Sequence, residues 1–165
     1  MRKSIATYVT NGYGQVEPNH LSAQRTAQIY AQLPAASDID VLENGQFVKY
    51  DYANGEVNFS GAGEWMLVFN EVKLYDERET YKDYAMTKGS QVGGVIVPRV
   101  LKTNVGDIYT TNFVDGTDFV EGDKLSIAGK GIPTKGEATE GMVWKVAKVY
   151  TLADGQAAVK IIRIQ

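Results

Sequence analysis

The sequence predicts a mainly β fold, an antiparallel barrel or sandwich of small lobes, preceded by an N-terminal arm that carries one short helix. Three observations predict it. From Ile39 onward, apolar and polar residues alternate with the period of strands. Turn pairs such as Asn44-Gly45, Asn54-Gly55, Asp115-Gly116 and Asp154-Gly155 recur between these runs, in a chain with 17 glycines. Only one segment, Leu21 to Leu33, carries helical spacing. A chain of 165 residues buries roughly 70% of its unfolded surface, so packing alone can hold it.

Residues 1–35 form the arm. Ser4 to Gly14 is rich in Thr, Tyr, Asn and Gly and reads as a short strand or extended segment. Pro18 and Asn19 punctuate the chain before Leu21, Ile29 and Leu33, which lie at multiples of four with Ala27, Tyr30 and Ala31 nearby. Pro34 stops this helix. Its stripe is thin and rich in alanine. Either it packs on the chain's own body, or a partner completes it, and the partner-binding candidates are then Leu21, Ile29, Tyr30 and Leu33. On the second reading, removing residues 1–33 leaves a folded β body that no longer attaches normally.

Strands follow. Val41-Leu42, a turn at Asn44-Gly45, and Gln46 to Tyr52 read as a hairpin, since Asn-Gly accepts positive φ at both positions. Asn54-Gly55 repeats the device before Glu56 to Phe59. Gly61 and Gly63 open the next turn, and the continuous apolar run Trp65 to Phe69 reads as a central strand. Residues 71–86 mix Val72, Leu74, Tyr75, Tyr81 and Tyr84 with the charged stretch Asp76 to Glu79. Gly89 to Gly94 reads as a linker. Val95 to Leu101 is β-prone, with Pro98 marking an edge or bulge. Further strands are expected at Ile108 to Val114, Lys124 to Ala128, Met142 to Tyr150 and Ala157 to Ile164. The resulting division is an arm, a first lobe over 36–91 and a second over 92–165, or one interleaved barrel.

The residue inventory narrows the chemistry. Without cysteine there is no disulfide, thiolate metal site or thiol nucleophile. The single histidine, His20, stands beside Asn19 and reads as a surface or capping residue. Asp115, Asp118, Glu121 and Asp123 cluster but lack the EF-hand spacing, as do Asp38, Asp40 and Glu43. Acidic residues in glycine turns commonly serve the turn itself. The run Gly129 to Gly136 is glycine-rich and basic, yet it lacks the Walker spacing and reads as an exposed hairpin loop. Asn58-Phe59-Ser60 has the form of a glycosylation sequon without a signal peptide at the start of the chain. We therefore expect no catalytic residues, no cofactor and no metal. A net charge of −3 argues against a broad phosphate-binding face, hence against nucleic acid. No run approaches the roughly 20 apolar residues of a membrane helix. Tyrosine is the unusual residue, with ten copies, several of them at Tyr50, Tyr52, Tyr75, Tyr81 and Tyr84. Its large apolar body and polar tip suit interfaces with protein or carbohydrate.

An ordered set of short phrases resembles one family. Leu42 to Val48 is similar to an acidic-Asn-Gly-x-aromatic-Val strand entry. Gly63 to Val68 follows, then Glu71-Val72 and Tyr75 to Arg78. Val105 to Asn112 and Gly122 to Leu125 complete the series. In this order they resemble the capsid decoration, or cement, proteins of tailed phages over Asp40 to Gln165. The resemblance implies a virion structural protein, assembled in the host cytoplasm, that binds the major capsid protein and stabilises the head shell, commonly as a trimer. It brings no catalytic residues, and residues 1–35 lie outside it. The alternative is a host- or glycan-binding module of a head or tail fibre.

Overall fold

The computed structural model describes residue 9 and residues 13–25, 29–70, 85–137 and 140–165. Twelve strands lie among them. The first is β1 (Val16–His20). Then come β2 (Val41–Glu43), β3 (Phe47–Asp51), β4 (Glu56–Asn58), β5 (Met66–Val68) and β6 (Ala85–Thr87). The rest are β7 (Val100–Leu101), β8 (Ile108–Thr111), β9 (Lys124–Ala128), β10 (Ile132–Lys135), β11 (Val143–Thr151) and β12 (Ala157–Arg163). They build a six-stranded sheet in the order β1-β8-β12-β11-β9-β10, a four-stranded sheet in the order β4-β3-β5-β7, and the pair β2-β6. Among the described residues all ladders are antiparallel, and no sheet closes into a barrel.

The four-stranded sheet is the middle layer of the molecule, because strand periodicity sends its side chains alternately into two cores. Phe47, Leu67 and Leu101 enter a first core with Tyr109, Leu125, Trp144, Val146, Val159 and Ile161 of the six-stranded sheet. Their neighbours Val48, Met66, Val68 and Val100 enter a second core with Ile39, Leu42, Val57, Met86 and Ile96. Burial on both faces explains why Trp65 to Phe69 is apolar without alternation. Aromatic rings fix the first core: Trp144 lies edge-on to Tyr109 at 5.1 Å and tilted against Phe47 at 5.9 Å.

The N-terminal residues depart from expectation. The helix is a single turn, Ser22–Arg25; residues 26–28 lie outside the described set. Residues 29–33 are not helical: Ala31 bridges Val100, and the Tyr30 amide donates to the Val100 carbonyl at 2.9 Å. Further along, Val57 donates to the Pro34 carbonyl and Ala36 to the Val57 carbonyl, both at 2.9 Å. Residues 30–36 thus join β7 and β4, the two edges of the small sheet. Unpaired edge amides and carbonyls demand partners, and an alanine-rich stripe offers too little apolar surface to hold this segment in a helix instead.

Residues 13–25 are equally tied down. β1 pairs with β8 along one edge of the large sheet, a position that tolerates Pro18. Asp107, 2% exposed, accepts hydrogen bonds from the Ser22 amide and hydroxyl, both at 3.0 Å, and from the Asn104 amide at 2.9 Å. Buried Asn112 accepts from the Gln15 amide at 2.6 Å, and the Glu43 carboxylate accepts from the Gly14 amide at 2.7 Å. Of the segment read as an arm, residues 13–25 and 30–35 are thus part of the body.

The hairpin signal misled at one turn and held at another. Asn44-Gly45 does not join a hairpin, since β2 pairs with β6 and β3 with β4 and β5. It is a corner between sheets, locked by Asn44 and Asn70: the Asn70 amide donates to Asn44 Oδ1 at 2.7 Å and Asn44 Nδ2 to the Asn70 carbonyl at 3.2 Å. The Gly129 to Gly136 run does form the β9–β10 hairpin, with Gly129 and Lys130 exposed as expected, while the buried Gly131 end of its turn docks on β3. The Phe47 amide donates to the Gly131 carbonyl at 2.7 Å, and Gln46 Nε2 donates to that of Lys130 at 2.8 Å.

Acid sensitivity follows from two carboxylates, one at the end of β3 and one in the turn before β9. The Asn54 side chain and amide hold Asp51 below the ordinary carboxylate value, and Lys135, ion-paired at 2.7 Å, does the same for Asp123. A carboxyl depressed in the folded state stabilises the fold above the unfolded value, near pH 4, and that contribution is lost as pH falls through the folded value. Thermal melts should therefore show Tm falling below about pH 4, with Asp123→Asn making the fall shallower. An Asp123→Asn protein with an unchanged acid slope would contradict this assignment.

Candidate functional site

The tyrosine-rich surface lies where β3, the residues ahead of β5 and the residue after β7 meet. Tyr50 and Tyr52 are two apart on one strand and its extension, so both rings emerge on one face. They stack at 4.8 Å with planes 10° apart. Tyr30, carried on the segment that joins the sheet edges, stands edge-on to Tyr50 at 5.9 Å. A hydrogen bond to the Tyr30 side chain holds the Tyr52 phenol above its ordinary value. Tyr52 is 71% exposed and Tyr30 49%, so both present their rings to solvent, while Tyr50 packs half-buried on the second core.

Charge is fixed beside these rings. Glu64, ahead of β5, pairs with Lys102 at 2.7 Å and lies 3.6 Å from the Arg163 guanidinium. The hydrogen bond to Glu64 raises Lys102 above its ordinary value, and the Lys102 ammonium also lies 5.7 Å from the centre of the Tyr30 ring. The three tyrosines, Glu64 and Lys102, with Gly63 and Met66, line a hollow of about 230 Å³. On the other side of Gly63 and Glu64 lies a second hollow of about 390 Å³, whose lining includes Lys49, Trp65, Met142 and Arg163. There the Lys49 ammonium lies 4.7 Å from the centre of the Trp65 ring.

The four partner-binding candidates do not share a face. Leu21, 2% exposed, belongs to the first core, and Leu33 packs half-buried on the second. Ile29 and Tyr30 are exposed. The helix that would have aligned all four is absent over 29–33, and of the four only Tyr30 reaches the tyrosine cluster. Tyr75, Tyr81 and Tyr84 lie outside the described residues. Glu64 and Lys102 escaped the sequence reading because their meeting depends on the β5–β7 register, Leu67 opposite Leu101, which no local pattern announces.

Several of the other candidates have structural roles. Asp123 Oδ2 accepts from the Val120 amide at 2.8 Å in addition to its ion pair with Lys135, and Asp40 pairs with Lys88 at 2.9 Å. No group of three or more metal-ligating side chains occurs among the described residues. His20 is exposed at the end of β1. Asn58 of the sequon caps its own turn, its Oδ1 accepting from the Ser60 and Gly61 amides at 3.0 and 2.7 Å. Comparison with family models, curated proteins and solved structures finds no match for this chain.

Proposed function

We propose that this chain is a virion structural protein: a decoration protein that binds and stabilises the head shell of a tailed phage. The observation that carries the reading is where the resembling phrases fall. Leu42 to Val48 is the corner from β2 into β3, held by the Asn44–Asn70 pair. Gly63 to Val68 is the entry to β5. Val105 to Asn112 contains β8 and the buried Asp107 that anchors Ser22. Gly122 to Leu125 leads into β9, where Asp123 closes the turn. Glu71-Val72 and Tyr75 to Arg78 lie outside the described residues; the other phrases fall at positions that decide how this chain folds, which supports the reading. A decoration protein needs a rigid body more than a reactive site, and the buried polar side chains here serve rigidity.

The partner on this reading is the major capsid protein, with the chain most readily arranged as a trimer around a local symmetry axis of the shell. The test is co-sedimentation of the purified protein with undecorated heads of the same phage. Saturable binding is expected, together with a rise in the temperature at which the heads rupture. Protein that stays in the supernatant at every concentration would overturn the proposal.

A further inference from the structure

We propose that the cleft running from Tyr30, Tyr50 and Tyr52 across Glu64 to Trp65 binds an oligosaccharide, with a pyranose ring on the tyrosines and the chain continuing toward Trp65. This site is independent of the shell reading. A pyranose has an apolar face of C–H groups and a rim of hydroxyls that both donate and accept. An aromatic face takes the first, and a fixed set of charged donors and acceptors takes the second. Both are present here: exposed Tyr52 backed by Tyr50 at 4.8 Å, and Glu64 paired with Lys102 at 2.7 Å.

The site is organised before any ligand arrives. Tyr50 backs Tyr52, Tyr30 stands against Tyr50, and Lys102 sits between Glu64 and the Tyr30 ring, so little side-chain freedom is left to lose on binding. Glu64 is neutralised by Lys102 and Arg163, which suits a neutral sugar. The first hollow, about 230 Å³, falls below the usual range of drug-sized sites and fits a single ring. The two hollows share Gly63 and Glu64 in their linings, so a side chain added at Gly63 would stand at their junction. The nearest atoms to a Cβ there belong to Tyr50, at 3.4–3.8 Å, an ordinary contact. A proline-rich peptide also favours aromatic grooves, but it has no use for a carboxylate–ammonium pair on the groove floor.

The experiment uses the full chain on an array of neutral hexose and N-acetylhexosamine oligosaccharides, with a proline-rich decapeptide as comparator and calorimetry on the best-bound sugar. Tyr52→Ala should weaken binding roughly tenfold, the loss expected for one stacking ring, without lowering Tm, since the ring is exposed. Gly63→Val should leave disaccharide binding intact and abolish the preference for longer chains. The proposal is overturned by no array binding, by tighter binding of the peptide, or by sugar binding that neither substitution alters.

Discussion

Removal of residues 1–33 is expected to yield a chain that does not fold. The deletion strips β1 from β8 and exposes an edge of the large sheet. It takes Leu21 and Ala23 from the first core and Ala31 from the second. It also leaves the buried acceptors of Asp107 and Asn112 without the Ser22 and Gln15 donors, at about 1–3 kcal/mol for each buried group left unsatisfied. Leu21→Ala alone should cost about 2–5 kcal/mol, against a total stability of about 5–15 kcal/mol for a domain. Circular dichroism and a melting curve decide the matter. A truncated chain with a cooperative melt near that of the full chain would show that the N-terminal segment is an appendage after all.

The second large effect is expected at Gly131. Its φ is +72°, and an added Cβ would lie 1.7 Å from the Phe47 carbonyl oxygen and 2.7 Å from its carbon. Those are backbone atoms and cannot swing aside. Gly131→Ala must therefore push the β9–β10 hairpin off β3 and break the hydrogen bond from the Phe47 amide. We expect a loss of at least about 3 kcal/mol in urea unfolding. Gly129 is the control: its φ is also positive, at +51°, but nothing lies within 4 Å of a Cβ there, so Gly129→Ala should cost only about 1–2 kcal/mol. Equal losses at the two positions would refute the docking account.

These two expectations also mark what was legible in the sequence. Lys124 to Ala128 is β9 to the residue, and β3, β11 and β12 lie where alternation put them, because their pattern is local and each face has one destination. β1 was hidden: Pro18 and Asn19 read as punctuation, whereas an edge strand needs only its inner groups paired. The Leu21 to Leu33 spacing was real but weak, and the demand of two sheet edges for partners outweighed it at Tyr30 to Ala36. Asn44-Gly45 announced positive φ correctly at Gly45 but not at Asn44, and could not reveal that β2 would leave for β6. In the candidate site, Tyr50 and Tyr52 were visible as a period-two pair. Tyr30 was marked for a different reason, and the Glu64–Lys102 pair arises only once β5 and β7 are in register.

The central claim is attachment to a head shell, and cryo-electron microscopy of the particle that carries this protein tests it most directly. The account predicts density on the outer face of the capsid, repeated at local symmetry axes, into which the six-stranded and four-stranded sheets fit as one body with β1 in place. A reconstruction whose shell surface is bare of such density, or that places the chain in the tail or the lumen, would contradict it.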